Sequence, residues 1–270
     1  MPNECIARYL SKDGNHQLYV VNATEIMREI SSIKELTPIS FEALSNIIAL
    51  SLLRSNNLKG ASQTLTFQLD TVSDLKKVIA TANAKGEAKG YVANPSAIEK
   101  IGTSMISCTA DLGVRAPYHS TCMVEGVNLE EKINSFFEQS DQTVLKFSSF
   151  VDGKDKKVIA LLYHELPHQD EVTTLFEIGK AHKALKRIEL DDVAACFYGE
   201  VPYELVSKEE VCFRCNCSRE RYLELFKLLS DDEIMELSSK EEPTVCTCGW
   251  CGKEYEFLPS EIKKILAKRG

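Results

Sequence analysis

The stretch Cys246-Thr247-Cys248-Gly249-Trp250-Cys251-Gly252 decides how the C-terminal part of this 270-residue chain folds. A second cysteine group, Cys212-Phe213-Arg214-Cys215-Asn216-Cys217, precedes it. Two short-range cysteine pairs joined by a loop are what a tetrahedral Zn²⁺ site needs. The pattern predicts one Zn²⁺ ion held by four thiolates. The remaining cysteines are scattered singly: Cys5, Cys108, Cys122 and Cys196.

The spacing defines the second ligand pair better than the first. Cys248 and Cys251 form a Cys-x-x-Cys motif whose glycines permit the tight turn that aims both sulfurs inward. For the first pair, the spacing allows Cys212 with Cys215 or Cys215 with Cys217. No histidine lies inside either cysteine group, so thiolates are the natural ligands. Because the 60 residues of 211–270 include few large apolar side chains, this region is expected to need the bound metal as a cross-link to remain folded.

Residues 1–166 are predicted to form an α+β body in which helices cover a mostly antiparallel sheet. Apolar residues alternate along Gln63–Asp70, which is typical of a half-buried strand. Gly86 lies in a short loop between two further strand candidates, so strands connect locally. The predicted strands are Ile6–Leu10, Gln17–Val21, Gln63–Asp70, Val78–Ala84, Ala88–Ala93, Met105–Ala110, Tyr118–Glu125, Thr143–Val151 and Lys157–His164. The predicted helices are Thr24–Glu35 capped by Thr24, one after Pro38 capped by Ser40 or Ser45, and one that Asn128 opens and that ends at Gln139.

Residues 167–210 are predicted to form a charged, metastable linker. Between His168 and Glu210 the chain has 10 acidic and 5 basic residues. Gly179 lies in the middle of the predicted linker helix and costs roughly 1 kcal/mol relative to alanine. An ordinary surface helix fits the same pattern. The apolar positions that predict this amphipathic helix are Val172, Leu175, Ile178, Leu185 and Ile188.

Residues 211–270 are predicted to form a cysteine-rich zinc-binding domain. Ser218–Leu229 is expected to be helical, and Ser230 begins a capping box for a short second helix. Thr244–Phe257 is predicted to be a hairpin that carries the second cysteine group in its turn. A terminal helix is expected to start at Pro259 or Ser260.

Charge and hydropathy exclude several classes of function. The formal net charge is −8, and residues 211–270 have 10 basic against 11 acidic side chains, so neither nucleic acid nor a membrane is expected as a partner. The N-terminus has no signal-peptide pattern, and the most apolar stretch, 47–53, is too short to span a bilayer. A cytoplasmic protein is expected. Clustered cysteines in a reducing cytosol favour metal binding or redox chemistry over permanent disulfides.

The order and spacing of the cysteines resemble the Cys-x-Cys…Cys-x-x-Cys signature of the heat shock protein 33 family, which are redox-regulated holdase chaperones. The matching stretches are Phe213-Arg214-Cys215-Asn216-Cys217-Ser218-Arg219-Glu220-Arg221 and Cys248-Gly249-Trp250-Cys251-Gly252. Phe136–Gln142 and Gly90-Tyr91 resemble other segments of that family. The three-part layout of body, linker and zinc domain matches as well, so the resemblance is close to full length.

The resemblance implies an ATP-independent chaperone, not an enzyme, that binds unfolding proteins under oxidative stress. The reduced form would hold Zn²⁺ through Cys215, Cys217, Cys248 and Cys251 and be inactive. Oxidation would form the disulfides Cys215–Cys217 and Cys248–Cys251, release zinc and unfold the linker. The active form would be a homodimer.

Cys212 and Cys246 depart from the family pattern. Each lies next to a ligand pair, where it could replace a ligand, form an alternative disulfide or be a small buried residue. Two other functions compete with the chaperone. The first is a constitutive zinc-ribbon interaction module without redox switching. The second, a disulfide oxidoreductase, is disfavoured because Cys248-x-x-Cys251 does not follow a βαβ pattern.

Overall fold

The computed structural model describes residues 4–114, 116–166, 175–187 and 189–266. The chain divides into two compact units, Met1–Arg214 and Cys215–Gly270. The strands are β1 (Cys5–Ser11), β2 (His16–Asn22), β3 (Thr64–Thr71), β4 (Lys77–Asn83), β5 (Glu87–Val92), β6 (Ser104–Asp111), β7 (Tyr118–Val124), β8 (Leu145–Asp152), β9 (Lys157–Glu165), β10 (Tyr203–Glu210), β11 (Cys212–Phe213), β12 (Thr244–Thr247) and β13 (Glu254–Phe257). The helices are α1 (Thr24–Ile33), α2 (Pro38–Ser55), α3 (Leu129–Ser140), α4 (Ile178–Leu185), α5 (Leu190–Tyr198), α6 (Arg219–Phe226), α7 (Asp231–Ser238) and α8 (Pro259–Leu266).

Two antiparallel-dominated sheets make up the first unit. The first sheet has the order β10-β1-β2-β9-β8, and the second has the order β11-β5-β4-β3-β6-β7. Every described pairing is antiparallel except that of the two-residue strand β11 with β5. The predicted α+β class with a mostly antiparallel sheet is therefore confirmed. The hairpin predicted around Gly86 forms, and β6 with β7 and β8 with β9 form two further antiparallel pairs.

Helix α2 lies between the two sheets and packs against strands of both. It is buried nearly all round, which explains why its sequence is apolar over most of its length instead of along one stripe. Gly90 of β5 permits this close approach, because a Cβ there would lie 2.7 Å from side-chain atoms of Leu44 and Ile48.

Two predicted helix caps are wrong. Thr37 caps α2 and Pro38 occupies its first turn, so Ser40 and Ser45 are both buried inside the helix. Proline is well suited to the first helical turn because its missing N–H has no partner there in any case. Thr24 lies inside α1 and not at its cap, and its Oγ1 accepts a hydrogen bond from the Val158 amide at 3.1 Å. The predicted cap Asn128 is confirmed, since its side chain accepts from the Glu131 amide.

The linker residues that the structure describes form two short helices and a strand. Leu175 precedes α4, Gly179 lies in its first turn instead of mid-helix, and Val172 and Ile188 are outside the described residues. Helix α5 and strand β10 were not predicted. Strand β10 pairs with β1 from Cys5–Glu210 to Ser11–Tyr203. The alternating pattern that would reveal a strand is weak there, because most β10 side chains are exposed.

Helices α4 and α5 cover the face of the first sheet that lies opposite α2, and they form a second core, which we call the linker core. Phe197 is at its centre, with ring centroids 5.8 Å from Tyr163 and 5.7 Å from Tyr198. The ring of Tyr198 in turn stacks on Tyr203 at 4.6 Å. The buried members of the linker core are Cys5, Ala7, Tyr9, Leu18, Val20, Ile159, Leu161, Tyr163, Ala181, Ala184, Leu185, Leu190, Val193, Ala194, Phe197 and Tyr198.

The second unit combines three short helices with the hairpin β12–β13. Ser218 caps α6, and the capping box of Ser230 and Glu233 opens α7, as predicted. Pro259 begins α8, and the predicted hairpin forms. Its small core consists of Phe226, Ile234, Tyr255, Phe257, Ile262 and Ile265. Among the helices that the structure describes in either unit, none has the length and apolar character needed to cross a membrane.

Candidate metal and redox centre

Four cysteine side chains of the second unit converge on one point. The Sγ atoms of Cys215, Cys217, Cys248 and Cys251 all lie within 4.8 Å of one another. The Sγ atoms of Cys215 and Cys248 are 3.7 Å apart, and those of Cys217 and Cys251 are 3.3 Å apart. Each close pair joins one cysteine of the first group to one of the second. The cluster therefore ties together two segments that are distant in sequence.

Local backbone structure places each pair. Cys217 directly precedes Ser218, the cap residue of α6, so the helix begins where the first pair ends. The second pair lies in the turn between β12 and β13. There the Cys248 amide donates to the Lys253 carbonyl at 2.8 Å, and the Gly252 amide donates to the Cys248 carbonyl at 2.8 Å. Gly252 has a φ of +69°, a conformation that favours glycine and closes this turn.

The four sulfurs fit a tetrahedral Zn²⁺ ion. A Zn–S bond of about 2.3 Å in tetrahedral geometry places neighbouring sulfurs about 3.8 Å apart. The 3.7 Å separation of Cys215 and Cys248 matches that value, and the 3.3 Å contact of Cys217 and Cys251 is slightly shorter. All four thiols are free, and Cys248 is 3 % exposed. An all-sulfur donor set of this size suits a soft or borderline metal such as zinc.

Backbone amides favour the thiolate form of Cys248. Burial alone would raise the pKa of this thiol, but hydrogen bonds from the Cys251 and Trp250 amides, with further ones from neighbouring thiols, lower the pKa to about 7. A thiolate is both the metal ligand and the nucleophile toward oxidants. The same turn that aims the sulfur inward therefore prepares it for both roles.

One residue beside the sulfurs was not singled out in the sequence. The hydroxyl of Tyr255 lies 3.2 Å from Cys217 Sγ and 3.0 Å from the Cys217 carbonyl oxygen. The alternation Tyr255-Glu256-Phe257 in β13, with both aromatics buried, is the signal that indicates an inward-facing tyrosine. Tyr255 therefore belongs to the immediate surroundings of the cluster.

The two extra cysteines lie outside the group of four. Cys212 is exposed in β11, where its amide donates to the Gly86 carbonyl at 3.0 Å. Cys246 is half-buried in β12, opposite Tyr255 in the hairpin, and packs on the core of the second unit. Within the described residues, the one set of three or more candidate ligands that converges is the group of four.

Fold and site together define a class of protein, in which an α+β body is followed by a small unit organised around four thiols. The family profile described as "Hsp33 protein" matches residues 4–258, and the chain belongs to the Hsp33 family. The predicted family is therefore confirmed. Members of this family are chaperones and not enzymes.

Individual relatives match over nearly their whole length. The chain is 26% identical to the "33 kDa chaperonin" of Latilactobacillus sakei subsp. sakei, covering 98% of this chain and 99% of the relative. It is also 26% identical to the protein of the same name from Streptococcus gordonii, covering 97% and 98%. A crystal structure of the 33 kDa chaperonin (heat shock protein 33 homolog) from Thermotoga maritima has the same fold, with a TM-score of 0.82, 20% identity and 99% coverage of both chains.

Proposed function

We propose that this protein is a redox-regulated, ATP-independent holdase of the cytoplasm that captures unfolding proteins under oxidative stress. The observation that carries the proposal is the convergence of Cys215, Cys217, Cys248 and Cys251 in a chain of the Hsp33 family. In the reduced state these four thiolates would hold one Zn²⁺ ion, and its bound charge would keep them deprotonated. The reduced, metal-loaded form is the inactive form.

Oxidation converts the four ligands into two disulfides, Cys215–Cys217 and Cys248–Cys251. In each pair, one thiolate attacks a peroxide oxygen and the O–O bond breaks, which gives a sulfenic acid and a hydroxide ion. The second thiolate then attacks the sulfenic sulfur, forms the S–S bond and expels a second hydroxide. Each pair thus loses two electrons to one peroxide, and a disulfide no longer supplies the anionic ligands that hold the metal.

Loss of the metal removes a large part of the second unit's folding free energy. Its core contains six buried apolar side chains, which is small for a region that must fold alone. In small metal-dependent domains, the metal-binding free energy is folding free energy. We expect the second unit to unfold when zinc leaves.

The linker is the proposed source of the client-binding surface. Strand β10 ends at Glu210, five positions before Cys215, so the cluster and the linker are neighbours along the chain. When α4, α5 and β10 leave the first sheet, the linker core loses its cover and exposes Tyr9, Leu18 and Tyr163. An apolar and aromatic surface of this kind binds non-native chains without a specific sequence. Two opened copies are proposed to associate as a homodimer.

Light scattering of a chemically denatured client enzyme tests the proposal. Peroxide-treated protein should suppress aggregation near stoichiometric amounts, whereas reduced, zinc-loaded protein should not. Zinc release and thiol loss are measured on the same samples, and one zinc should leave as four thiols disappear. Release of zinc without any suppression of aggregation would contradict the chaperone function. It would favour a zinc-ribbon interaction module, whose partner binding is indifferent to reductant.

A further inference from the structure

We propose that Tyr255 is a positioning residue that restrains the oxidation of Cys217 by donating a hydrogen bond to its sulfur. The inference rests on the proposed function, since it concerns the oxidation of the same cysteines. Its consequence is that the oxidant concentration at which the protein responds is set in part by a residue that is neither a metal ligand nor a redox-active thiol.

The geometry places the phenol where it can act on one sulfur. Tyr255 Oη lies 3.2 Å from Cys217 Sγ, within the range of an O–H···S hydrogen bond, and 3.0 Å from the Cys217 carbonyl oxygen. Its single proton is shared between these acceptors. When the sulfur is an anionic thiolate it is the stronger acceptor, because hydrogen bonds to charged groups are stronger than those to neutral ones.

The ring of Tyr255 is held firmly in this position. Tyr255 is 8 % exposed and lies opposite Cys246 in the β12–β13 hairpin. Its ring centroid is 5.2 Å from that of Tyr222 in α6. The hairpin and the helix therefore both contribute to placing the hydroxyl beside Cys217. The hydrogen bond also joins the hairpin that carries Cys248 and Cys251 to the segment that carries Cys217.

A nearby cation strengthens the hydroxyl as a donor. The Nζ atom of Lys253 lies 5.4 Å from the centroid of the Tyr255 ring. A positive charge over the ring face draws π-electron density toward itself, which favours the phenol O–H as a hydrogen-bond donor. Lys253 belongs to the same turn as the second ligand pair, where its carbonyl accepts from the Cys248 amide.

The hydrogen bond acts on the first bond-forming step of oxidation. For Cys217 to react, a lone pair of its thiolate attacks a peroxide oxygen, the O–O bond breaks, and Cys217 sulfenic acid and hydroxide result. The Cys215 thiolate then displaces hydroxide from that sulfur and forms the disulfide, so that two electrons pass to the peroxide in all. A donated hydrogen bond lowers the electron density of the attacking sulfur and occupies a direction from which the peroxide would approach. A hydrogen-bond donor that contacts a ligand sulfur without binding the metal also stabilises the anionic form of that ligand.

The test compares Tyr255→Phe with the wild-type full chain, both reduced and zinc-loaded. Each is exposed to hydrogen peroxide and quenched with an alkylating reagent, and the modification of each cysteine is followed by peptide mass spectrometry. Loss of the hydroxyl should speed the oxidation of Cys217 about tenfold, which corresponds to about 1.4 kcal/mol, within reach of one hydrogen bond to a charged group. Tyr19→Phe is the matched control, because its buried hydroxyl donates to Gln17 and Asn57 and, among the described residues, has no hydrogen bond to a thiol. It should oxidise like the wild type.

A second variant separates donor strength from packing. Replacement of Tyr255 by 3-fluorotyrosine keeps the ring and provides a more acidic, stronger donor, so Cys217 should oxidise more slowly than in the wild type. Replacement of Zn²⁺ by Co²⁺ gives thiolate-to-metal absorption bands. These bands should shift in both Tyr255 variants, because the hydrogen bond changes how much electron density the Cys217 sulfur donates to the metal. Equal Cys217 rates in the wild type, the phenylalanine variant and the fluorinated variant would overturn the inference.

These measurements distinguish failure of the inference from failure of the proposed function. They follow thiol chemistry and not the suppression of aggregation. An accelerated Tyr255→Phe variant in a protein that never captures clients would support the role of Tyr255 and refute the chaperone. A protein that captures clients on oxidation, but whose Cys217 oxidises at the same rate with and without the Tyr255 hydroxyl, would support the chaperone and refute the role of Tyr255.

Discussion

Tyr9 in β1 donates a hydrogen bond of 2.6 Å to Oδ1 of Asp191 in the first turn of α5, although 182 positions separate the two residues. The same carboxylate lies 3.6 Å from Lys208 Nζ in β10. Asp191 therefore connects α5, the second linker helix, both to β1 inside the first sheet and to the linker strand β10 at its edge. Loss of the Asp191 side chain should therefore loosen the linker with little change to its apolar core.

Asp191→Ala should weaken the attachment of α5 while leaving its packing intact. A hydrogen bond to a charged group contributes about 1.5–3 kcal/mol, reduced here because the Asp191 side chain is largely exposed. We expect amides of 190–198 to exchange with deuterium several times faster. Asp192→Ala is the control, since it removes the same charge from the same helical turn and has no hydrogen bond among those described. If both variants exchange alike, the Tyr9 contact does not hold α5.

Phe197→Ala should make the reduced protein a constitutive chaperone under the proposed function. Removal of a fully buried phenylalanine costs about 3–5 kcal/mol, and here the cost falls on the linker core. The variant should suppress aggregation of a denatured client in the presence of reductant, with zinc still bound. Val206→Ala, at a 45 % exposed position of β10, should behave as the wild type. A reduced Phe197→Ala protein that is folded, open and inactive would place the client surface elsewhere.

Removal of one thiol of the cluster should abolish stoichiometric zinc binding. Cys248→Ser replaces the most buried of the four sulfurs, and we expect bound zinc to fall from one per chain to near zero in the presence of a competing chelator. The far-ultraviolet circular dichroism of the chain should change as zinc is lost, because the second unit unfolds. Cys212→Ser and Cys246→Ser should retain the metal. Loss of zinc in either control would bring that cysteine into the ligand set.

The stability of the first unit should depend on the ionisation of Glu4. Burial raises the pKa of this carboxyl to about 7, although the amides at the start of α1 partly oppose it. The folded state therefore holds a proton that the unfolded state releases above pH 4.5, so stability is full below that pH and falls as pH rises to about 7.

Glu4→Gln removes this dependence. Relative to the wild type, the variant should gain about 1 kcal/mol between pH 5 and pH 8, a value reduced for the partial exposure of the carboxyl. Urea unfolding at three pH values measures the difference. Glu29→Gln, an exposed carboxylate on α1, should show no such trend. A constant difference between Glu4→Gln and the wild type would mean that Glu4 is not protonated in the folded state at pH 5.

The parts of the fold with strong local patterns could be predicted from the sequence. Three features are set by neighbouring residues and are present in the structure as predicted. They are the alternation in β3, the turn at Gly86 and the capping box of Ser230. The caps of α1 and α2 could not be predicted in this way. Thr24 and Thr37 are equivalent cap candidates by residue type, and only the tertiary contact of Thr24 with β9 distinguishes their roles.

The linker and the surroundings of the cluster depended on long-range contacts. The acidic composition of 168–210 predicted a weak connector, yet Phe197 and Tyr198 are buried because the first sheet offers them an apolar face. The four converging cysteines could be predicted from their spacing together with the family resemblance. Spacing alone left Cys212 as an alternative to Cys217. Tyr255 was missed because its role depends on which way one strand of a short hairpin faces.

The position of β10 in the first sheet bears on whether opening can be undone. It is an edge strand and, among the strands that the structure describes, pairs with β1 alone, so its departure leaves the order β1-β2-β9-β8 and the other described ladders of that sheet in place. A central strand could not leave without splitting the sheet in two. If β10 is released as proposed, the remaining four strands keep a template on which it can realign in the same register with β1. Under the proposed function, closing would then require the re-pairing of one strand and not a second folding of the whole body, so the same molecule could act again after reduction.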